Sequence, residues 1–291
     1  MKKYNSTLLS VVFMLFFLSS CDEDGVGGMM NDNQNASNSE TANALKEALQ
    51  VGTDTAVSTL AVSNGYFMDQ AVKILLPEEI QDASQSLKDE SVSIPTGIVG
   101  NITITGEQLY NGYQNENLGI NFGSLAAIED DLILGINRAA EEAANTAKPI
   151  FSDAITGMTI SDANDILFGT DTAATFYLKN NTSNQLFNNY EPKMDEALNT
   201  VQVSGNSVVE LYEEYVSTYN EIVNTSAFGV SFGDQMGLNA IGATDLSAYA
   251  TNKALDGLFL KVGEEEKNIR ENPIARVTEL LEKVFSKLDE E

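Results

Sequence analysis

The stretch that decides the fold is "SLAAIEDDLILGINRAAEEAANTAKPIF", residues 124–151, which is the longest helical pattern in the chain. Apolar residues recur along it every three or four positions, the spacing of one face of an α-helix. The stripe consists of Leu125, Ile128, Leu132, Ile136, Ala139, Ala143 and Ala147. Ile133 and Leu134 lie off the stripe, and a helix that is apolar on more than one side is typical of the centre of a core. The sequence therefore predicts a central helix that ends near Pro149.

Similar periods precede the central stretch. Between residues 40 and 62 a stripe repeats at positions 45, 49, 52, 56 and 60, which predicts an amphipathic helix. Gly52 and Ala56 lie on this stripe, so another helix can approach closely there. A second helix is predicted to begin at Pro77, with Glu78 and Glu79 in its first turn.

Helical patterns also follow the central stretch. Thr159 and Asp162 have the spacing of a capping box, and Asp171 is placed to cap the helix that contains "TAATFYLKN". Pro192 interrupts the next stripe, which predicts a kink or a helix start at that point. A further stripe at positions 208, 212, 215, 219 and 222 carries tyrosines whose hydroxyl groups need partners or solvent.

The C-terminal pattern predicts a helix that Asn272 caps and Pro273 opens. Its expected core-facing residues are Ile274, Val277, Leu281, Val284 and Leu288. Together the patterns predict an all-α fold, a single multi-helix, bundle-like domain over residues 40–291.

Two segments lack a helical period. Residues 91–123 are rich in glycine, with an alternation at Ile102 and Ile104 that is compatible with a small β-hairpin or an irregular loop. We expect this insertion to be replaceable by a short link without loss of the helical fold, since loop length changes closure entropy only slightly. Residues 225–243 are apolar and punctuated by glycine; long loops of this kind are either functional or disordered, and apolar ones tend to pack on another surface.

The N-terminus has the layout of a secretory signal. Lys2 and Lys3 precede an apolar run over residues 8–18, which is shorter than the roughly 20 residues that span a bilayer. "LSSC", residues 18–21, resembles the bacterial lipobox, in which the cysteine is lipidated; an ordinary signal peptide with a chance cysteine is the alternative. We predict a signal peptide at residues 1–20 and a lipid anchor at Cys21, the only cysteine in the chain.

Residues 21–39 are predicted to form a flexible tether after the anchor, because they have no apolar period and are rich in Gly, Asn and Ser. The acids "DED" at residues 22–24 resemble an inner-membrane retention signal in some bacteria and a surface-export signal in others. We favour the second interpretation. The expected location is the cell envelope, in the outer membrane and exposed at the surface.

Composition excludes several function classes. With 43 acidic and 16 basic residues the chain has a net charge of −27, which opposes binding of nucleic acid by its bulk surface. It contains no histidine, and its cysteine is predicted to be acylated, so Ser-His-Asp and Cys-His catalysis and the usual zinc ligands are excluded. No EF-hand loop or phosphate-binding glycine loop occurs. We expect no cofactor and no metal, and no enzymatic activity.

Six blocks of sequence carry a family resemblance. They are residues 44–60, 64–80, 135–151, 158–180, 251–273 and 276–285, including "GINRAAEEAANTAKPIF" and "TNKALDGLFLKVGEEEKNIRENP". In this order they resemble the bacterial family called domain of unknown function 4197, over about Ala44 to Phe285. The resemblance implies an exported, mainly helical protein, often a lipoprotein, without an assigned activity. This chain departs from the family's spacing between Leu87 and Leu125, where the glycine-rich insertion lies.

Charged residues in these blocks form the candidate polar network: Arg138, Glu141, Asp162, Lys253, Asp256, Glu266 and Arg270. On a helical wheel Arg138 flanks the central stripe and Glu141 lies opposite it. If that helix is central, at least one charge is buried and must be paired. The network is either a ligand site or a structural network that orients helices, and we favour the structural interpretation.

Three functions remain open. The favoured one is a non-enzymatic interaction or structural module of the envelope, whose partners are the membrane, through the anchor, and an unknown envelope protein. The alternative is a carrier of a small apolar ligand between helices, gated by residues 225–243. A carboxylate-based hydrolase is the third and least favoured, because a suitable pair among 43 acids arises by chance.

Overall fold

The structure is a computed structural model that describes residues 27–97, 100–242 and 244–286, with side chains from residue 39 onward. Its helices are α1 (Gly27–Leu60), α2 (Glu78–Asp89), α3 (Gly106–Tyr110), α4 (Leu125–Ala143), α5 (Ala147–Gly157), α6 (Ile160–Leu167), α7 (Ala173–Thr200), α8 (Val208–Asn224), α9 (Phe232–Met236), α10 (Leu246–Glu271) and α11 (Glu279–Phe285). The domain is mainly α-helical, as predicted. Its strands form short antiparallel hairpins only.

Each hairpin is followed by a helix. A side-chain hydroxyl group caps the N-terminus of that helix. The pairs are β1 (Ser91–Pro95) with β2 (Asn101–Thr105), β3 (Gln114–Asn115) with β4 (Ile120–Asn121), β5 (Gln202–Val203) with β6 (Asn206–Ser207), and β7 (Ser226–Ala227) with β8 (Val230–Ser231). The capping side chains are those of Thr105, Ser124, Ser207 and Ser231, ahead of α3, α4, α8 and α9. A hydroxyl at this position accepts from an N–H group that the helix itself leaves unpaired, so the cap fixes where each helix begins.

α4 is the central helix. It packs on α7 and α8 and also contacts α10, and its predicted stripe is buried. The prediction that one helix continues to Pro149 is wrong, because α4 ends at Ala143 and a 3₁₀ turn leads into α5. Pro149 lies in the first turn of α5, where a residue without an N–H group is tolerated.

α1 carries the predicted stripe on its buried face. A Cβ built on Gly52 would lie 3.6 Å from Ile269 Cδ1, so α1 and α10 approach closely at this glycine, as expected. α1 begins at Gly27, so the backbone of residues 27–39 is helical where the sequence predicts a flexible tether. Each residue added to a formed helix gains a hydrogen bond without a new nucleation step, which lets a packed helix extend into polar sequence.

The glycine-rich insertion forms the predicted hairpin, β1 and β2. It is not a detachable loop, because Val92, Ile94 and Ile104 are fully buried. A Cβ at Gly106 would lie 1.6 Å from the Leu87 carbonyl oxygen, so the end of the hairpin docks against the end of α2. Contrary to the expectation from the sequence, removal of the whole segment would therefore take buried side chains out of the core.

Three further differences from the sequence predictions concern where helices begin and end and which residues face the core. α7 runs through Pro192, so no helix starts there. Asn272 caps only a 3₁₀ turn, and α11 begins after Thr278. Ile274 and Val277 are exposed and do not face the core, while Leu281 and Val284 are buried as predicted. Leu288 lies outside the described residues.

The predicted signal peptide and Cys21 also lie outside the described residues. Among the residues that the structure does describe, no helix combines the length and apolar character needed to cross a bilayer.

Candidate functional site

The predicted polar network is divided among four separate places in the structure. The most buried place holds Glu266 and Arg270, one turn apart on α10 with about 7% of each residue exposed. Arg270 Nη2 lies 3.0 Å from Glu266 Oε1. The two oxygens of Glu266 accept from the backbone N–H groups of Ala174 and Thr175, at 2.9 and 2.8 Å. Arg270 donates to the carbonyl groups of residues 166 and 167 at the end of α6.

Glu266 therefore takes the role that the sequence assigns to Asp171. The residue at the N-cap position of α7 is Thr172, which makes no side-chain capping bond. The carboxylate that closes this helix end comes from another helix, and sequence position gives no signal of it. The prediction that Asp171 caps α7 is wrong.

Glu141 forms the second buried site. Its Oε1 accepts from the backbone N–H groups of Tyr66 and Phe67, both at 3.2 Å, and its Oε2 lies 2.6 Å from Arg138 Nη1. Arg138 also donates to Asn64 Oδ1, and Asn64 has a left-handed backbone with φ of 72°. Glu141 lies opposite the main stripe, yet it is buried because residues 64–76 cross this side of α4.

Asn137 also holds the segment of residues 64–76 against α4. This residue was not identified from the sequence. Its side-chain amide accepts from the N–H group of Ile74 at 2.9 Å and donates to the carbonyl group of Ile74 at 2.7 Å. The available signal was an asparagine inside the longest apolar pattern, since asparagine is a poor residue for a helix interior unless its side chain has a partner. The oxygen and the nitrogen of the Asn137 amide group therefore hold Ile74 against α4.

A buried hydroxyl cluster between α2, α4 and α8 was also missed. The Tyr215 hydroxyl and Ser84 Oγ are hydrogen-bonded, and Ser84 Oγ lies 3.2 Å from Glu129 Oε2. Tyr110 donates to the same Glu129 oxygen at 2.8 Å. Burial raises the pKa of Tyr215 to about 12. Ser84 has a carboxylate neighbour but no histidine exists to activate it, so the cluster is suited to joining helices rather than to nucleophilic catalysis.

Lys253 and Asp256 lie apart from both ion pairs. They line an open cleft of about 350 Å³ between α10 and residues 71–81. Lys73 and Glu78 line the opposite side. Asp256 is 4.0 Å from Lys179, and both side chains are exposed. This cleft is open to solvent, and within the described part of the chain Lys253 and Asp256 make no buried contacts comparable with those of Glu141 or Glu266.

Asp162 lies in the fourth place, a surface groove that we call the α6–α7 groove. It has a volume of about 440 Å³, and its lining includes Asp162, Asp165, Ile166, Phe176, Tyr177 and Asn181. Asp162 forms the predicted capping box with Thr159, and the hydrogen bond from the Thr159 N–H group keeps the pKa of Asp162 below its ordinary value. Phe176, which lines the groove, is 67% exposed, whereas Phe168, the residue after α6, is 65% exposed but is not part of the lining.

An internal cavity lies between α1, α7, α10 and α11. It is lined by apolar residues such as Leu49 and Val262 together with Glu266 and Arg270, and its volume is about 20 Å³. That is room for about one water molecule, whereas pockets for small organic ligands measure roughly 300 Å³ or more. Among the described residues no group of His, Cys, Asp and Glu is arranged to hold a metal ion.

The comparisons with known proteins assign a family but no activity. No curated protein and no solved structure matches the chain. The family described as "Protein of unknown function (DUF4197)" matches residues 35–94 and 116–286. The match omits residues 95–115, which form most of the glycine-rich insertion, in agreement with the departure in spacing that the sequence indicated. Because the match covers most of its length, the chain belongs to the DUF4197 family.

Proposed function

We propose that this protein is a lipid-anchored interaction module of the bacterial cell envelope, without enzymatic activity. The observation that carries the proposal is the α6–α7 groove, where Phe176 is about two-thirds exposed and lies next to Tyr177 in a lining that is open to solvent. Aromatic side chains that line an open groove are typical of a surface that binds a partner or ligand.

The solid interior favours this function over that of an apolar carrier. The cavity between α1 and α10 is more than tenfold smaller than a typical ligand pocket. The segment expected to gate a carrier instead contains β7, β8 and α9 within residues 226–236, and Phe232 in it is completely buried. A segment that contributes a large side chain to the core is poorly suited to open and close.

The anchor is the second part of the proposal. The lipobox-like "LSSC" and the acids that follow Cys21 support attachment to the outer membrane and exposure at its surface. Two or three acyl chains hold a protein on a membrane, since each buried CH₂ group contributes about 0.8 kcal/mol. Metabolic labelling with a fatty-acid analogue should mark the wild type and leave Cys21→Ser unlabelled. Equal labelling of both proteins would contradict the anchor.

Photo-crosslinking in cells that make the protein tests the interaction. A photoreactive phenylalanine analogue at position 176 should give a discrete adduct with an envelope protein. The matched control is the same analogue at Phe228, which is 65% exposed in the turn between β7 and β8. Position 228 should give no such adduct. Absence of an adduct at position 176, or the same adducts at both positions, would contradict the proposed function.

A further inference from the structure

The α6–α7 groove combines exposed apolar surface with uncompensated negative charge. Asp162 and Asp165 are the charged residues in its lining, and no Lys or Arg lines it among the described residues. Asp165 forms no salt bridge within the described part of the chain. Carboxylates beside an exposed apolar surface match a ligand that carries positive charge next to an apolar group.

The nearest lysine along α7 does not neutralise the groove. Lys179 Nζ lies 5.6 Å from the centre of the Phe259 ring and 4.0 Å from Asp256 Oδ1, and both of these residues are on α10. Lys179 is therefore directed toward α10. The charge of the groove is left for an external cation.

The overall charge of the chain decides among possible occupants. A second copy presents the same acidic surface, with a net charge of −27 for the chain, so self-association in the groove is repelled. Anionic lipid head groups are disfavoured for the same reason. A basic segment of another protein is attracted by the groove and by the field of the whole molecule.

The form of the groove indicates the conformation of that segment. Its walls come from two helices, α6 and α7, and its exposed apolar side chain is Phe176 in the first turns of α7, next to Tyr177. An amphipathic helix binds to such a surface with its apolar residues at spacings of three and four. Lysine or arginine beside that stripe would face Asp162 and Asp165.

We infer that the α6–α7 groove binds a cationic, amphipathic helix of a protein partner. The inference rests on the proposed function and names the chemistry of the partner. Phe176 supplies the apolar contact, and Asp165 supplies a charge contact that no ion pair between described residues occupies.

Peptides of defined charge test the inference on the full chain, purified in a nonionic detergent. The probe is a fluorescent 14-residue peptide with leucine on one helical face and lysine on the other. Its twin carries glutamate at every lysine position. Fluorescence anisotropy should detect binding of the lysine peptide and at least tenfold weaker binding of the glutamate peptide. Equal affinity for the two peptides would overturn the charge argument.

Matched variants separate the groove from the acidic surface in general. Asp165→Lys and Phe176→Ser should each weaken binding of the lysine peptide about tenfold, the effect of removing one central contact of about 1.4 kcal/mol. The controls are Asp195→Lys, an exposed acid later on α7, and Phe228→Ser, both of which should leave the affinity within twofold. Because all four positions are exposed, the variants should fold, which circular dichroism checks. Equal losses in test and control variants would overturn the inference.

Two further outcomes have defined meanings. The Cys21→Ser chain can be tested for flotation with phosphatidylcholine vesicles. If it floats and Phe176→Ser abolishes this flotation, the groove binds a lipid surface and the inference is wrong. An adduct in cells at position 176 without selective binding of the lysine peptide would also overturn the inference, while the proposed function would stand. If neither an adduct at position 176 nor selective binding of the lysine peptide is observed, both the inference and the proposed function are contradicted.

Discussion

Glu266 and Arg270 lie one turn apart on α10 and close the facing ends of two other helices. Glu266 accepts from the first N–H groups of α7, and Arg270 donates to the last carbonyl groups of α6. The N-terminus of a helix carries partial positive charge and the C-terminus partial negative charge, so each side chain meets the end of opposite sign. The pair fixes the turn between α6 and α7, and with it the shape of the α6–α7 groove.

Removal of one partner should be costly. Arg270→Ala leaves Glu266 buried without its counter-ion and removes the guanidinium donor from the carbonyl groups of residues 166 and 167, so we expect a loss of about 3 to 5 kcal/mol in the free energy of unfolding. In a chain of this size that corresponds to a fall of roughly 10 °C in melting temperature. Thermal unfolding followed by circular dichroism measures it.

Lys267→Ala is the matched control on the same helix. Lys267 pairs with Glu271 at 3.8 Å, but both side chains are more than half exposed, and such pairs contribute about 0 to 1 kcal/mol. If Arg270→Ala were as stable as Lys267→Ala, the structural interpretation of the buried pair would be wrong.

Glu141 should act locally, on the segment that crosses α4. Glu141→Gln keeps the shape of the side chain but weakens the hydrogen bonds from Tyr66 and Phe67 and ends the ion pair with Arg138. We expect amide hydrogen exchange at residues 66 and 67 to become at least tenfold faster, because these N–H groups lose a charged acceptor. Mass spectrometry of deuterated peptides covering residues 62–76 would measure the change.

Glu142→Gln provides the control for this experiment. Glu142 is the exposed neighbour of Glu141 on α4, so its substitution should leave exchange in residues 62–76 unchanged. Unaltered exchange in Glu141→Gln as well would show that the carboxylate does not hold the segment.

The sequence predicted what depends on local spacing. The stripe of α1, the start of α2 at Pro77 and the capping box at Thr159 all follow from residues within a few positions of one another. What it missed depends on contacts between distant residues. The cap of α7 comes from Glu266, 92 residues from Ala174, and Asn137 reaches Ile74 across 63 residues.

The same distinction applies to the candidate site. Sequence reasoning grouped seven charged residues, but the structure places them in four different settings because helix packing, rather than sequence spacing, brings residues together. Ile274 and Val277 have helical spacing and yet are exposed, since the chain makes a 3₁₀ turn there before α11 begins. The exposure of Phe168 and Phe176 could not be read from the sequence at all, because an apolar residue in a pattern does not reveal whether another element covers it.

The insertion should tolerate a shorter tip but not changes at its base. Gly106→Ala places a methyl group against the Leu87 carbonyl oxygen, and Ile104→Ala opens a cavity beneath the hairpin. We expect Ile104→Ala to lower the free energy of unfolding by about 2 to 5 kcal/mol, and Gly106→Ala to destabilise the docking of β2 on α2.

Replacement of residues 96–100 by a two-residue Asn-Gly turn should have little effect, since that turn closes hairpins. Urea denaturation compares the three; a tip variant as unstable as Ile104→Ala would show that the whole hairpin is required.

Tyr215 should make stability depend on alkaline pH. Its pKa is about 12 in the folded protein, because burial disfavours the phenolate, against a usual value of about 10 in an unfolded chain. The folded pKa is the higher one, so the stabilisation is complete below pH 10 and is lost as the pH rises toward 12.

At neutral pH, Tyr215→Phe should be less stable than wild type by about 1 kcal/mol, because the hydrogen bond with Ser84 is absent. Between pH 10 and 12 the wild type loses up to about 2 to 3 kcal/mol through this tyrosine and the variant does not, so the difference should shrink and then reverse. Urea unfolding at pH 8, 10 and 11.5 measures it, and a difference that stays constant over this range would show that Tyr215 does not titrate differently in the folded and unfolded states.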